Sequence, residues 1–227
     1  SSSFTVGLIY AMYSLKGAVK SKEELAKTAI HIEQELIKEC VGSQDQISAA
    51  YGGFNKIEFN TDDSFSVKPQ LINSNRKQDL NKHLLLFFTG ISRYSSEVAE
   101  SQILNMKNCV TQMRELQEMV DEGSKILCSK TIPLAEFGRL LDMAWQNKKS
   151  LSNKITSPII DDLYKTAIKA GAKGGKILGA GGGGFVLFFV EPDYHERVKV
   201  ALSHLTYVPF KFETTGTQVV LNQPNGL

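Results

Sequence analysis

The sequence predicts an α+β protein that contains, from about residue 84 onward, a split βαβ sandwich of the ferredoxin-like type. Two observations carry this expectation. Helical segments with readable ends alternate with a few short apolar strands. One stretch, Gly171 to Val190, runs from a glycine-dense loop directly into a continuous β-branched and aromatic strand. Eight of the fourteen residues from Gly171 to Gly184 are glycine. Glycine loses more backbone freedom on folding than any other residue, so such a run is used where backbone must approach something closely, commonly a phosphate group.

Composition narrows the function classes. The 227 residues are 42% hydrophobic and 22% charged, enough for one or two packed domains, and the net charge of +2 provides no basic footprint for nucleic acid or an anionic membrane surface. The longest apolar runs, Leu84 to Phe88 and Phe185 to Val190, are too short to cross a bilayer. Cys40, Cys109 and Cys128 have no CxxC spacing, and the four histidines form no HExxH. A reducing cytoplasm is the expected compartment. The opening SSSFTVGLIYAMYSL does not start with methionine and has no leader-like pattern, and reads like the middle of a chain.

In chain order, Phe4 to Leu15 is an expected apolar helix closing at Gly17, with the three serines in front of its unpaired amides. Ser21 and Glu24 form a capping box that opens a helix to about Glu39, with Leu25, Ala29, Ile32 and Leu36 on its buried face. Glu33 has apolar neighbours three and four residues away, so it is aimed inward, whereas Glu35 faces water. Ser43 and Gln46 have capping-box spacing, which places Asp45 in a first helical turn, a position favourable for a carboxylate; Gly52-Gly53 ends that helix. Phe54 to Phe59 and Phe65 to Val67 flank the turn signal Thr61 to Ser64. Leu84 to Thr89 is an expected buried strand, with Arg93 leaving its carboxyl end. Helices are expected over Glu97 to Cys128, with a break, and over Leu134 to Lys148. Ser157 caps a helix that begins at Pro158 and stops at Gly171; a later helix from about Tyr194 to Leu205 precedes strands near Tyr207 to Glu213 and Thr217 to Leu221.

Gly179 to Gly184 satisfies GxGxxG, but a dinucleotide fingerprint needs a helix after the loop, and Phe185 to Val190 reads as strand. The protein-kinase reading lacks its companion motifs, and the P-loop reading fails because Ile177 follows Lys176. The alternative without a ligand is that these glycines permit tight helix–strand packing.

Three separated pieces, KILGAGGGGFVLFFV, SSSFTVGL and VGSQDQISAAYGGF, resemble the third motif, the downstream half of the second motif and the catalytic-aspartate segment of the GHMP small-molecule kinases. The resemblance runs essentially end to end. It implies the GHMP kinase fold, with residues 1–80 as the remainder of the N-terminal domain and 81–227 as a ferredoxin-like C-terminal domain. The phrases GSQDQISAAYGGFN, LLLFFTGISRYSSEVA and NKKSLSNKITSPIIDDLY are most similar to the sugar-1-kinase branch, whose members act on heptose 7-phosphate and L-fucose; Ser43 departs from the lysine common in the heptose enzymes.

The resemblance implies ATP and Mg2+ as cofactors and a sugar or sugar phosphate as acceptor, phosphorylated at C1. Asp45 matches the catalytic aspartate, Glu33 the magnesium ligand, and Ser1 or Ser2 the serine that completes the metal shell or touches a phosphate. Ser1, Ser2, Ser3, Gly179, Gly181, Gly182 and Gly183 are the expected nucleotide contacts. Asp45, Gln46, Gly53 and Arg93 are the expected substrate contacts, Arg93 for a sugar phosphate. Each has a plainer alternative: an N-terminal helix charge for Asp45, a buried structural carboxylate paired with lysine for Glu33, a surface salt bridge for Arg93. Lys148 and Lys149 are expected at a solvated helix end. Relatives carry more chain before the second motif, so the expectation is a C-terminal portion of a kinase, without appreciable turnover alone and with a homodimer or the missing portion as partner. The other function class is an inactive binding module of the same fold, against which the retention of both Asp45 and Glu33 counts; a third possibility is another substrate of the family, such as galactose or an isoprenoid alcohol.

Overall fold

The computed structural model describes residues 2–92 and 95–221. The chain divides into two compact units: Ser1–Gln70 together with Phe212–Leu227, and Leu71–Lys211. The division falls earlier than the residue 80 boundary expected from the sequence, and the segment from Phe212 returns to the first unit.

The first unit begins with helix α1, Ser2–Leu15, whose first turn contains Ser2 and Ser3 and which closes at Gly17 in the left-handed region (φ 69°). Helix α2, Lys22–His31, starts with the expected capping box: Ser21 Oγ accepts from the Glu24 amide and the Glu24 carboxylate accepts from the Ser21 amide. The hydrogen bond from Lys20, followed by those from Ser21, holds the Glu24 carboxyl down at about 2, so the box keeps its charge until pH falls to that value. Regular winding then stops short of Glu39. Residues Ile32–Leu36 form a wide π turn in which the Ile37 amide reaches back to the Ile32 carbonyl at 2.9 Å, and Lys38 takes a positive φ of 61°. The extra residue rotates the rest of the turn about the helix axis, so Leu36, expected on the buried face, is 65% exposed, whereas Leu25 and Ala29 are buried as expected.

Helix α3, Gln44–Tyr51, ends at Gly52 (φ 65°). Strands β1, Asn55–Phe59, and β2, Phe65–Pro69, form the expected antiparallel hairpin, with Asp62 accepting from the Ser64 amide and Asp63 at φ 60° in its turn. Val6 and Ile9 of α1, Leu25, Ala26 and Ala29 of α2, and Ile47 and Ala50 of α3 make up the core of this unit.

The second unit runs through helix α4 (Ser74–His83), strand β3 (Leu84–Phe88), helices α5 (Ser95–Asn105), α6 (Val110–Cys128), α7 (Ala135–Lys149) and α8 (Pro158–Ala170), strands β4 (Ala172–Ile177) and β5 (Phe185–Val190), helix α9 (His195–Ala201) and strand β6 (Thr206–Tyr207). The sheet order is β4-β5-β3-β6 with every neighbour antiparallel. This is the ferredoxin-like arrangement: β5 lies between β3 and β4, which helical chain connects. Its core includes Leu85, Phe87, Trp145, Ile160, Tyr164, Val186 and Phe188. Among the described residues no helix is long and apolar enough to cross a membrane.

Helix α8 has both ends the sequence shows: Ser157 Oγ accepts from the Ile160 amide, Pro158 opens it, and Gly171 closes it at φ 123°. Strand β4 lies inside the glycine-dense stretch, where the sequence predicts loop. Its glycines let α7 come against it: a Cβ on Gly174 would stand 2.0 Å from the Gly138 carbonyl oxygen. Tyr164 reinforces the junction by accepting from the Gly175 amide and donating to Asp142 at 2.6 Å; burial, then Asp142, push its phenol pKa up. The two C-terminal strands expected from the sequence shrink to Thr206–Tyr207. Residues 212–217 make backbone bonds to the end of α3 instead, the Gly53 amide to the Glu213 carbonyl and the Thr217 amide to that of Ala49.

Two glycine substitutions should diverge. Gly174→Ala is expected to cost more than about 2 kcal/mol, because backbone stands where its methyl must go. Gly7→Ala, on α1 with nothing within 4 Å of the new methyl, should stabilise by about 0.5–1 kcal/mol. Denaturant unfolding of both variants checks the pair.

Candidate active site

Three polar side chains meet inside the first unit. Glu33, in the π turn, is 1% exposed; Ser2 of α1 donates its hydroxyl to Glu33 Oε2 at 2.9 Å, and the amide of Gln46, on α3 and fully buried, donates to the same oxygen. Glu33 Oε1 and Gln46 Oε1 are buried with no hydrogen-bond partner among the described residues. Glu33 is thus turned inward, as its apolar neighbours indicate, but its partners are a hydroxyl and an amide. No lysine pairs with it among the described residues.

The geometry at the start of α3 corrects the capping-box expectation. Ser43 makes no cap hydrogen bond; its hydroxyl instead accepts from the Gln34 amide at 3.1 Å. Gln46, expected to reach back to Ser43 and to touch substrate, is drawn to the Glu33 carboxylate, and its side chain does not line the neighbouring cleft. Asp45 does occupy the first turn of α3, and it is exposed.

Asp45 opens onto this cleft of about 660 Å³, which is also lined by Ser2 and Ser3, by Ser48, Ala49, Gly52 and Gly53 around the carboxyl half of α3, and by Phe212, Glu213, Gly216 and Thr217. One face thus carries the carboxylate of Asp45 and, a helical turn away, the hydroxyl of Ser48. The start of α1, with no acidic residue in its first turn, presents helix N-terminal amides to the same space. Ser2 joins the two features: it lines the cleft and binds the carboxylate behind it.

Gly53 lines this cleft as well. Gly179, Gly181, Gly182 and Gly183 belong to the second unit. There the loop is shaped by close approach: a Cβ on Gly181 would lie 2.8 Å from the Ile155 carbonyl oxygen, and one on Gly183 2.5 Å from that of Ile91. The Gly182 amide donates to the Ile155 carbonyl at 2.8 Å and the Gly184 amide to the Ile91 carbonyl at 2.9 Å. Lys148, expected to be simply solvated, donates to the Gly179 carbonyl, and Lys149 approaches Asp161 at 3.4 Å. Ser1 and Arg93 lie outside the described residues.

Ser48 and the segment from Phe212 to Thr217 carry no mark in the sequence that singles them out. The glycine in Thr214-Thr215-Gly216-Thr217 is the available signal, but its meaning depends on Gly52, far away in the chain.

Residues 1–53 match the GHMP kinases N terminal domain and residues 129–207 match GHMP kinases C terminal. The chain belongs to the GHMP kinase family. Within it, the chain is 33% identical over 224 residues to a D-glycero-alpha-D-manno-heptose 7-phosphate kinase of Campylobacter jejuni, covering 96% of this chain and 65% of that protein. It is 27% identical to an L-fucokinase/L-fucose-1-P guanylyltransferase of Bacteroides fragilis, over 81% of this chain and 20% of that protein. The crystal structure of a D-glycero-D-manno-heptose 1-phosphate kinase from Bacteroides thetaiotaomicron superposes with a TM-score of 0.64 and 26% identity, covering 95% of this chain and 60% of that one. The chain therefore spans less than two thirds of the length of these relatives.

A carboxylate almost entirely removed from water and facing, among the described residues, neutral donors is costly. Glu33→Gln, which removes the charge and adds a donor to a junction whose Gln46 Oε1 is unpartnered among the described residues, is expected to raise stability by about 1–2 kcal/mol. Thermal or urea unfolding in metal-free buffer measures it, and destabilisation would contradict this account of the junction.

Proposed function

We propose that the protein carrying this chain is an ATP-dependent sugar kinase in which Asp45 activates the acceptor hydroxyl. The observation that carries the reading is the pairing of an exposed first-turn carboxylate, Asp45, with the buried Glu33–Ser2–Gln46 junction at one cleft. Phosphoryl transfer requires positioning and charge neutralisation above all. Asp45 orients the sugar hydroxyl and accepts its proton as the hydroxyl oxygen bonds to the γ-phosphorus; the bond from that phosphorus to the β–γ bridging oxygen breaks, and ADP departs with the electron pair.

The residues present fit a magnesium ion. Mg2+ favours oxygen donors, and Glu33 Oε1 and Gln46 Oε1 are unpartnered among the described residues, in a junction whose other carboxylate oxygen takes the Ser2 hydroxyl. When bound, the ion would neutralise nucleotide phosphate charge; Glu33 and Ser2 are the residues assigned to hold it. The first-turn amides of α1 at Ser2 and Ser3 are assigned to the phosphates. The Gly179–Gly183 loop is assigned to the nucleotide through the family resemblance, with Gly182 contributing its conformation, since Ile155 takes its amide.

For the acceptor we infer C1 of a heptose 7-phosphate, supported by the 33% identity to the C. jejuni protein. L-Fucose is the second reading, supported by the 27% identity to the B. fragilis protein. A coupled ADP-release assay of the protein carrying this chain on both sugars, with product analysis at C1, separates them.

Asp45→Asn should lower kcat by roughly 10²–10⁴-fold while leaving nucleotide affinity nearly unchanged. Steady-state kinetics with nucleotide titration checks this; undiminished turnover by the variant would remove Asp45 from the mechanism. Mg2+ should also raise the unfolding temperature of the wild type and not that of Glu33→Gln.

A further inference from the structure

The wall of the cleft opposite α3 is made by residues far from it in sequence, and it is fastened there at several points. The Gly53 amide donates to the Glu213 carbonyl at 3.1 Å, and both the amide and the hydroxyl of Thr217 donate to the Ala49 carbonyl at 3.0 Å. The Lys22 ammonium bridges the carbonyls of Tyr51 and Thr215 at 2.7 and 2.9 Å. Rings of Phe54 and Phe212 meet edge to face with centroids 4.6 Å apart. The tightest contact is between glycines: a Cβ on Gly52 would lie 1.9 Å from the Gly216 nitrogen, and one on Gly216 would lie 2.5 Å from the Ala50 carbonyl oxygen. Both have left-handed φ, 65° and 69°.

The turn is also braced from within. Glu213 Oε1 accepts from the Thr214 amide, the Thr215 amide and the Thr215 hydroxyl at 2.7 to 2.8 Å. A segment held this way keeps its shape without a ligand, which is the condition for selective recognition.

Its chemistry indicates what it recognises. Asp45 and Glu213 place two carboxylates in the lining, and no lysine, arginine or histidine lines the cleft among the described residues. Apart from the first-turn amides of α1, which are assigned to the nucleotide, such a lining disfavours a phosphate group and suits hydroxyl groups. Thr217 Oγ1 spends its proton on Ala49, so its remaining lone pairs accept from a ligand hydroxyl. The Ser48 hydroxyl, with no hydrogen bond among the described residues, both donates and accepts.

We propose that the Glu213–Thr217 turn, clamped to the carboxyl end of α3, is the wall that reads the uncharged hydroxyl-bearing end of the acceptor sugar, with Ser48 and Thr217 as its specificity-determining residues. The inference rests on the sugar-kinase reading of the same cleft. It assigns any phosphate substituent of the acceptor to a place outside this cleft.

The test is steady-state kinetics of the protein carrying this chain, on heptose 7-phosphate, L-fucose and galactose, for the wild type, Ser48→Ala, Thr217→Val and Thr217→Ser. Thr217→Val keeps the shape and the backbone bond to Ala49, and circular dichroism confirms folding. Ser48→Ala and Thr217→Val should each raise KM for the accepted sugar about tenfold, the scale of one lost hydrogen bond of about 1.4 kcal/mol, and change the ranking among sugars. Their kcat and KM for ATP should stay within about twofold, and Thr217→Ser should restore the sugar KM. An active wild type whose sugar KM is unmoved by these variants, or variants whose kcat and ATP KM deteriorate together with it, would overturn the assignment of the wall. A wild type that phosphorylates none of the three sugars would remove the sugar-kinase reading itself, and the inference with it.

Discussion

The first unit depends on how a nearly dry carboxylate is accommodated. Desolvating a carboxylate costs several kcal/mol unless hydrogen bonds or opposite charge compensate. Among the described residues the Glu33 carboxylate receives two hydrogen bonds, both on Oε2, from α1 and from α3, so each helix has a polar reason to stand where it does. The π turn serves the same arrangement. It leaves Glu33 in line with Leu25 and Ala29 at steps of four residues and swings Leu36 and Ile37 outward. Rules of helix capping then yield to it: Gln46 leaves the end of its own helix to meet the carboxylate.

Glycine is used for two different ends in the chain. At Gly52 and Gly216 it lets two backbone segments touch, and both residues need the left-handed conformation to do so. In the loop from Gly179 to Gly184 it again permits contact, with Ile155 and Ile91, but there alternate amides are consumed by carbonyls. The glycine-dense stretch that dominates the sequence is therefore first a packing device. Its neighbours are Lys148, holding the Gly179 carbonyl, and Gln102, holding that of Ala180.

The features legible in the sequence are those that local chemistry decides. Ser21, Ser157, Pro158 and Gly171 mark helix ends because their effect reaches only a few residues, and Leu84 and Phe185 begin strands apolar enough to need burial. The inward aim of Glu33 and the first-turn position of Asp45 are legible for the same reason. Strand β4 is hidden because glycines and lysines have poor strand propensity, and only the fit against α7 and β5 makes AKGGKI extended. The apolar residues after Tyr207 suggest strands, but that chain finds its hydrogen-bond partners at Ala49 and Gly53, more than 150 residues earlier. No local pattern announces a partner at that separation.

That separation has a consequence for how the molecule comes into being. The residues that carry Asp45 leave the ribosome before the turn at Glu213–Thr217, which is made only after the whole second unit has been synthesised. At typical elongation rates of about 5–20 residues per second, α3 waits on the order of ten seconds or more for its partner segment. During that interval Gly52 and Gly53 have no mate, and the cleft has only one side. The nascent chain thus displays the Asp45 face of α3 before the segment that completes the cleft lining exists.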